Sequence, residues 1–249
     1  MNRLVPLPRI MVAPNGARRD KADHPALPLT IAETVEAARL SFEAGANALH
    51  AHVRDGDGAH SLDPGAYREL IAEMAAQVPD MPVQITTEAA GMFGVEAQRR
   101  AVLDVNPEGA SVAIREMWHE TASDQAARAF YRECAERGVA IQHIAYSPDD
   151  LTRILSLAAR GDLPGPIQTI FVLGAYASQT PGQPSDLDRF LACLDQSELP
   201  VDLAVCAFGP RETECLAYAA RKGGQMRVGF ENNLINAERV AELVRALNQ

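Results

Sequence analysis

Residues 139–173, VAIQHIAYSPDDLTRILSLAARGDLPGPIQTIFVL, contain one complete unit of the fold. Two β-rich apolar runs, VAIQHIAY (139–146) and PIQTIFVL (166–173), flank an amphipathic run from Pro148 to Ala159 with helical spacing. Strand, helix and strand in that order imply a right-handed crossover between parallel strands. The same alternation extends both ways along the chain. Upstream, RIMVAP (9–14), ANALHAHV (46–53), PVQITT (82–87) and GASVAI (109–114) read as strands, and PVDLAVCA (200–207) and MRVGF (226–230) follow downstream. Between and after them the periodicity predicts helices over 31–44, 64–77, 95–103, 122–137, 185–194, 211–221 and 237–247. Thr30 and a serine cap the first and sixth of the chain's eight helices, and Asp63-Pro64 opens the second. Eight strands and eight helices in 249 residues fit a closed (β/α)8 TIM barrel with parallel strands, a single domain over residues 1–249. An open doubly wound sheet would call for a glycine-rich phosphate turn after the first strand, and PNGARRDK (14–21) is not one.

Composition narrows the function. The chain is 47% hydrophobic and 22% charged, with 23 Lys and Arg against 33 Asp and Glu, for a net charge of −10. That balance opposes nucleic-acid binding, which needs a positive surface to neutralise phosphates. No run approaches the ~20 apolar residues of a membrane span, and the N-terminal stretch has no signal-peptide pattern, so a cytoplasmic protein is expected. Cys134, Cys193, Cys206 and Cys215 show no paired spacing and read as reduced thiols. No linker or short-period repeat interrupts the alternation.

Barrel enzymes place their chemistry at the C-terminal ends of the strands. His50-Ala51-His52 lies there on the second strand. Alternation points both imidazoles the same way, with backbones roughly 7 Å apart at ~3.3 Å rise per residue. They could converge on one ion, or simply hydrogen-bond among polar barrel groups. Closure brings strand eight beside strand one, and Glu231 at its end could complete a His2Glu site with an open position, the pattern of a catalytic zinc. As a helix-first-turn acid it would serve the macrodipole instead. Thr86 and Thr87 close strand three. Arg227 on strand eight suits a substrate carboxylate or a barrel ion pair, while Arg18 and Arg19 after strand one suit a solvated loop or an anion. His143 fits core or pocket wall. His24, His60 and His119 are loop residues without partners at metal spacing, and Trp118 is a candidate for the barrel mouth.

The blocks NGARRDKADHPALP (15–28), AGANALHAHVRDGDGAHSLD (44–63), QITT (84–87), FVLG (171–174) and GGQMRVGFENN (223–233) resemble those of the beta-keto acid cleavage enzymes, in the same order through nearly the whole chain. The resemblance implies a (β/α)8 barrel and a Zn2+-dependent reaction in which a 3-keto acid and acetyl-CoA give acetoacetate and a new acyl-CoA. It implies zinc ligation by His50, His52 and Glu231, and catalytic roles for Arg227 and for Thr86, where relatives carry serine. Ser111 matches a polar substrate-binding position after strand four. Two departures stand out. Asn232 follows the zinc glutamate where the family has an acid–base aspartate, and an amide takes no proton near neutral pH. Gly16-Ala17-Arg18 replaces a GAE pattern, so a carboxylate becomes a guanidinium and an anionic substrate is expected.

Two other functions compete with this one. In a metal-dependent barrel hydrolase the HxH usually follows strand one. A catalytically silent relative would bind an acyl metabolite, and Asn232→Asp would separate it from an active enzyme. Assembly through the outer helices into a homo-oligomer is expected.

Overall fold

The barrel strands hydrogen-bond to their neighbours around a ring: β1 (Ile10–Val12), β2 (Ala48–Ala51), β3 (Val83–Thr86), β4 (Gly109–Ala113), β5 (Ala140–Ala145), β6 (Ile167–Ala175), β7 (Val201–Ala207) and β8 (Gln225–Val228); the end of β6 also pairs antiparallel with Thr180–Pro181. All the ring neighbours run parallel, and β8 returns to β1 with Met11 opposite Arg227, closing an eight-stranded (β/α)8 barrel. This computed structural model describes residues 1–118, 124–175, 180–234 and 240–248. His119 and the expected starts of the helices at Ala122 and Ala237 lie outside the described residues.

The helices are α1 (Ile31–Glu43), α2 (Pro64–Gln77), α3 (Val95–Val105), α4 (Asp124–Glu136), α5 (Pro148–Ala159), α6 (Asp186–Leu194), α7 (Glu212–Arg221) and α8 (Val240–Leu247). A further single turn, Ile114–Met117, follows β4. Local chemistry sets the boundaries. Thr30 accepts from the Glu33 N–H while the Glu33 carboxylate accepts from the Thr30 N–H, a reciprocal cap on α1. Asp63 accepts from the Ala66 N–H at 2.7 Å, and Pro64 opens α2 where no donor is needed. α3 runs to Val105, beyond the expected Leu103, because Asn106 takes the left-handed conformation that ends helices (φ 51°). Ser185 precedes α6 without a side-chain cap; Asp186 instead accepts from the Gln183 N–H.

Strand alternation divides the side chains into two layers. Leu49, Ile85, Val112, Met226 and Val228 belong to the main apolar core that the helices cover. His50, Gln84, Gln142 and Arg227 are buried on the other face, inside the barrel. The chain before β1 fills the N-terminal end of that interior. Leu4 packs on Met11 and Ala48, and Leu7 packs with Ile144, Ile170 and Ala204. Gln168 donates to the Leu4 carbonyl at 2.8 Å, and the Leu7 N–H donates to Asp202. With that end filled, the cavity lies at the C-terminal rim.

Two irregularities at this rim aim the site. The strand expected over 46–53 stops at Ala51, and Val53–Arg54 turns away to pair antiparallel with His60–Ser61. Asn15 continues the ladder in place of a strand: its amide donates to the His52 carbonyl (2.9 Å) and accepts from the His52 N–H (3.0 Å). At the end of β8, Gly229 has φ 148°, and a Cβ there would lie 2.3 Å from the Ala13 carbonyl oxygen. That carbonyl accepts from the Glu231 N–H at 3.2 Å, so the missing side chain allows the contact that sets Glu231. Gly229→Ala is expected to cost at least about 2 kcal/mol of stability, read by urea unfolding, because both φ and the backbone contact resist a methyl group.

Candidate metal centre and active-site cavity

His50 and His52 leave β2 with their rings edge to face, centroids 5.2 Å apart, and both are buried. Their Nε2 atoms converge to 3.3 Å. Glu231 reaches them from the turn after β8, with Oε2 3.6 Å from His50 Nε2 and Oε1 3.8 Å from His52 Nε2. Ligands about 2.0–2.1 Å from one tetrahedral ion lie about 3.3–3.4 Å from each other, so these donors fit one cation with small adjustments. Among the described residues this is the one group of three His, Cys, Asp or Glu side chains close enough for such a role. Zn2+ accepts this nitrogen and oxygen set.

A chain of amides orients the first ligand. Gln84 donates its Nε2 to Gln142 Oε1 at 3.2 Å, which leaves Gln84 Oε1 facing His50 Nδ1 at 2.8 Å. Nδ1 therefore carries the proton, and Nε2 presents a lone pair to the site. Burial, reinforced by the Arg227 charge, pushes the His50 imidazole down to about 3 and keeps it neutral at physiological pH.

Glu231 stays ionised for a different reason. Burial alone would raise its carboxyl, but the Arg227 guanidinium and the two imidazoles outweigh it and hold the group well below the usual carboxylate range. Arg227 Nη2 lies 3.1 Å from Glu231 Oε1. Arg227 is itself buried, and its Nε and Nη1 have no partner among the described residues. So the strand-eight arginine is an ion-pair partner that still has donors left over.

These groups share a cavity of about 610 Å³ whose wall includes Arg18, Thr86, Ser111, Arg227, Glu231 and Asn232. Ser111 Oγ and both amide atoms of Asn232 are buried there without hydrogen-bond partners among the described residues. Buried polar atoms are normally paired, so this cluster of open donors and acceptors marks a place for a polar ligand. Thr86 Oγ1 accepts from the Glu88 N–H at 3.0 Å, whereas Thr87 faces out and donates to the Ser111 carbonyl. Arg18 lies 3.4 Å from Glu88, and Arg19 donates to the Phe230 carbonyl at 2.9 Å. Ile144, Val172 and Phe208 form an apolar wall of the same cavity.

Several supporting residues went unread in the sequence. Arg54 donates to the carbonyls of Gly16, Ala17 and Arg19, fixing the loop that carries Arg18. His60 is not an isolated loop residue: it is buried, its ring lies 5.1 Å from that of His52, and its Nε2 donates to the Glu88 carbonyl at 2.9 Å. His143 points away from the cavity, against Tyr131, and Trp118 is buried in a stack with Tyr131 instead of lining the mouth. Of the four free thiols only Cys206 reaches the cavity wall. The signal that could have found Gln84 is its polar side chain between the apolar Val83 and Ile85 of a core strand.

Behind the turn, Glu212 of α7 accepts from the Gly229 N–H and the Asn233 side chain, each at 3.2 Å. Burial pushes its carboxyl up to about 8 against those two hydrogen bonds. Its raised pKa makes a stability contribution that is full below the unfolded value near 4.5 and is lost as pH rises through about 8. Glu212→Gln should flatten that part of the pH–stability curve, read as the difference between urea midpoints at pH 5 and pH 8.

A closed parallel barrel with two imidazoles and a carboxylate converging at its C-terminal rim is the frame of a barrel enzyme with a candidate metal centre. The chain belongs to the beta-keto acid cleavage enzyme family, whose sequence profile matches residues 9–249. It is 28% identical over 229 residues to a 3-keto-5-aminohexanoate cleavage enzyme of Fusobacterium nucleatum subsp. nucleatum, covering 88% of this chain and 80% of that protein. It is 35% identical over 104 residues to a 3-oxoadipate:acetyl-CoA acetyltransferase of Cupriavidus necator, a match covering 42% of this chain and 36% of that protein. Among solved structures, the ternary complex of ObcA with C4-CoA adduct and oxalate has the same fold, with TM-score 0.71 and 17% identity. That match covers 90% of this chain and 63% of the ObcA chain. No helix among the described residues is long and apolar enough to cross a membrane.

Gln84→Leu should weaken metal binding by about 10- to 100-fold in a chelator competition, because the His50 tautomer loses its partner.

Proposed function

We propose that the protein is a Zn2+-dependent beta-keto acid cleavage enzyme that converts a 3-keto acid and acetyl-CoA into acetoacetate and a new acyl-CoA. The observation that carries this reading is the convergence of His50, His52 and Glu231, with ligand atoms all within 4.8 Å of one another, in a chain of this family. A bound Zn2+ would supply Lewis-acid stabilisation of the negative charge that develops on the keto oxygen. The chain's own residues do the rest. Arg227 offers its unpaired Nε–H and Nη1–H to a substrate oxygen and holds Glu231 charged. Ser111 and Thr86 add hydroxyls to the same wall. Asn232 orients substrate through an amide that can both donate and accept, a binding role that needs no proton transfer.

The substrate in this reading is an anionic 3-keto acid. Arg18, Arg19, Arg115 and Arg227 all line the cavity, and guanidinium groups suit carboxylates. The name of the Cupriavidus necator relative, which specifies a dicarboxylic keto acid, supports that direction. The apolar wall of Ile144, Val172 and Phe208 suits the carbon chain between the two charged ends.

The test is turnover of the metal-replete protein with acetyl-CoA and a panel of 3-keto acids, followed by mass spectrometry. A new acyl-CoA together with acetoacetate is expected, with 3-oxoadipate preferred over 3-keto-5-aminohexanoate and product lost in His50→Ala. No product from any keto acid would overturn the reading in favour of a silent binder or a hydrolase.

A further inference from the structure

Forming a carbon–carbon bond at C2 of a 3-keto acid requires a base to remove the C2 proton, and Asn232 cannot serve. Among the described residues of the cavity wall, the Brønsted bases are His50, Glu88, Glu116 and Glu231. His50 and Glu231 are committed to the candidate metal centre. Glu116 is tied back into the loops: its Oε2 accepts from Gln98 Nε2 at 2.6 Å and from the Ala89 N–H at 3.3 Å. Burial raises both the Tyr146 phenol and the Cys206 thiol, so neither is an anion near neutral pH. Glu88 is left.

Its position is built. Glu88 follows β3 at the catalytic rim, and two hydrogen bonds already described fix its backbone, from its own N–H to Thr86 Oγ1 and from His60 Nε2 to its carbonyl. Its carboxylate is 23% exposed and meets Arg18 Nε at 3.4 Å, so one contact sets its direction while an opening to solvent remains. The charged and titratable groups facing it are Arg18 and Arg54 from the first loop and the β2 end, His52, Glu231, Glu116, and Tyr146 after β5. Burial is the main influence on its carboxyl and raises it, toward the range where a general base works best.

We propose that Glu88 is the catalytic base that removes the C2 proton of the 3-keto acid. The proposal rests on the keto acid cleavage reading. In this step the C2–H bond breaks, its electron pair enters the enolate, and the proton passes to a Glu88 carboxylate oxygen to give the neutral acid. C2 then takes the acetyl group as the thioester bond of acetyl-CoA breaks and CoA thiolate leaves. The thiolate attacks C3 as the C2–C3 bond breaks to give the new acyl-CoA, and the proton returns to C2 of the departing acetoacetate, which restores the carboxylate. Arg18 is a positioning residue for Glu88 and lies at the edge of the substrate's carboxylate site.

The experiment measures C2 hydrogen–deuterium exchange of 3-oxoadipate by NMR in D2O, with metal-loaded protein and no acetyl-CoA, alongside steady-state turnover. Glu88→Gln is expected to slow catalysed exchange and kcat by at least about 100-fold while KM and bound metal stay within about threefold. Glu88→Asp should retain part of the exchange, and the acid limb of the wild-type pH–rate profile should disappear in Glu88→Gln. Wild-type exchange or turnover that persists in Glu88→Gln would overturn the proposal and leave the keto acid cleavage reading standing. A wild-type protein inert in both assays with every keto acid would overturn both.

Discussion

The site depends on keeping one buried carboxylate charged. Glu231 sits between the Arg227 guanidinium and two imidazoles, in an interior where an unpaired charge would cost several kcal/mol. Arg227 balances it through one nitrogen and keeps two others open to the cavity. The two imidazole nitrogens and the carboxylate converge on one point, and a divalent cation is the ligand class this donor set fits.

Much of the surrounding structure serves this arrangement. The N-terminal segment fills the far end of the barrel, Asn15 substitutes for a strand to hold His52, and Gly229 lets Ala13 approach the turn that carries Glu231. The cavity wall is divided by strand: β2, β3 and β8 contribute His50, Thr86 and Arg227, whereas β5 and β6 contribute Ile144 and Val172. A ligand in the cavity therefore meets polar chemistry on one side and hydrocarbon on the other, an arrangement suited to a molecule with charged ends and a carbon chain.

The fold was legible because alternating β-rich and amphipathic runs leave few alternatives to a closed parallel barrel once eight units are present. Even the short run GASVAI forms a five-residue strand, Gly109–Ala113, since barrel neighbours on both sides supply its hydrogen bonds. His50, His52 and Glu231 could be placed together because closure sets β8 two strands from β2, a constraint of topology. What periodicity could not give was side-chain bonding across distant segments. Arg54 reads as a surface charge until its guanidinium is seen gathering three carbonyls of the first loop. His60 reads as a loop residue until a two-residue ribbon tucks it under His52. Glu88 gave no sequence signal of its own, and Arg18 was read for a solvated loop or an anion without this carboxylate partner, because pairing depends on how two loops meet.

The central claim, that His50, His52 and Glu231 hold a metal ion, is tested most directly by X-ray absorption at the zinc edge on protein loaded with one equivalent of Zn2+. The account predicts a first shell of two imidazole nitrogens and carboxylate or water oxygens at about 2.0–2.2 Å, with sulfur absent. An all-oxygen shell resembling hydrated zinc, or one containing sulfur from Cys206, would contradict it.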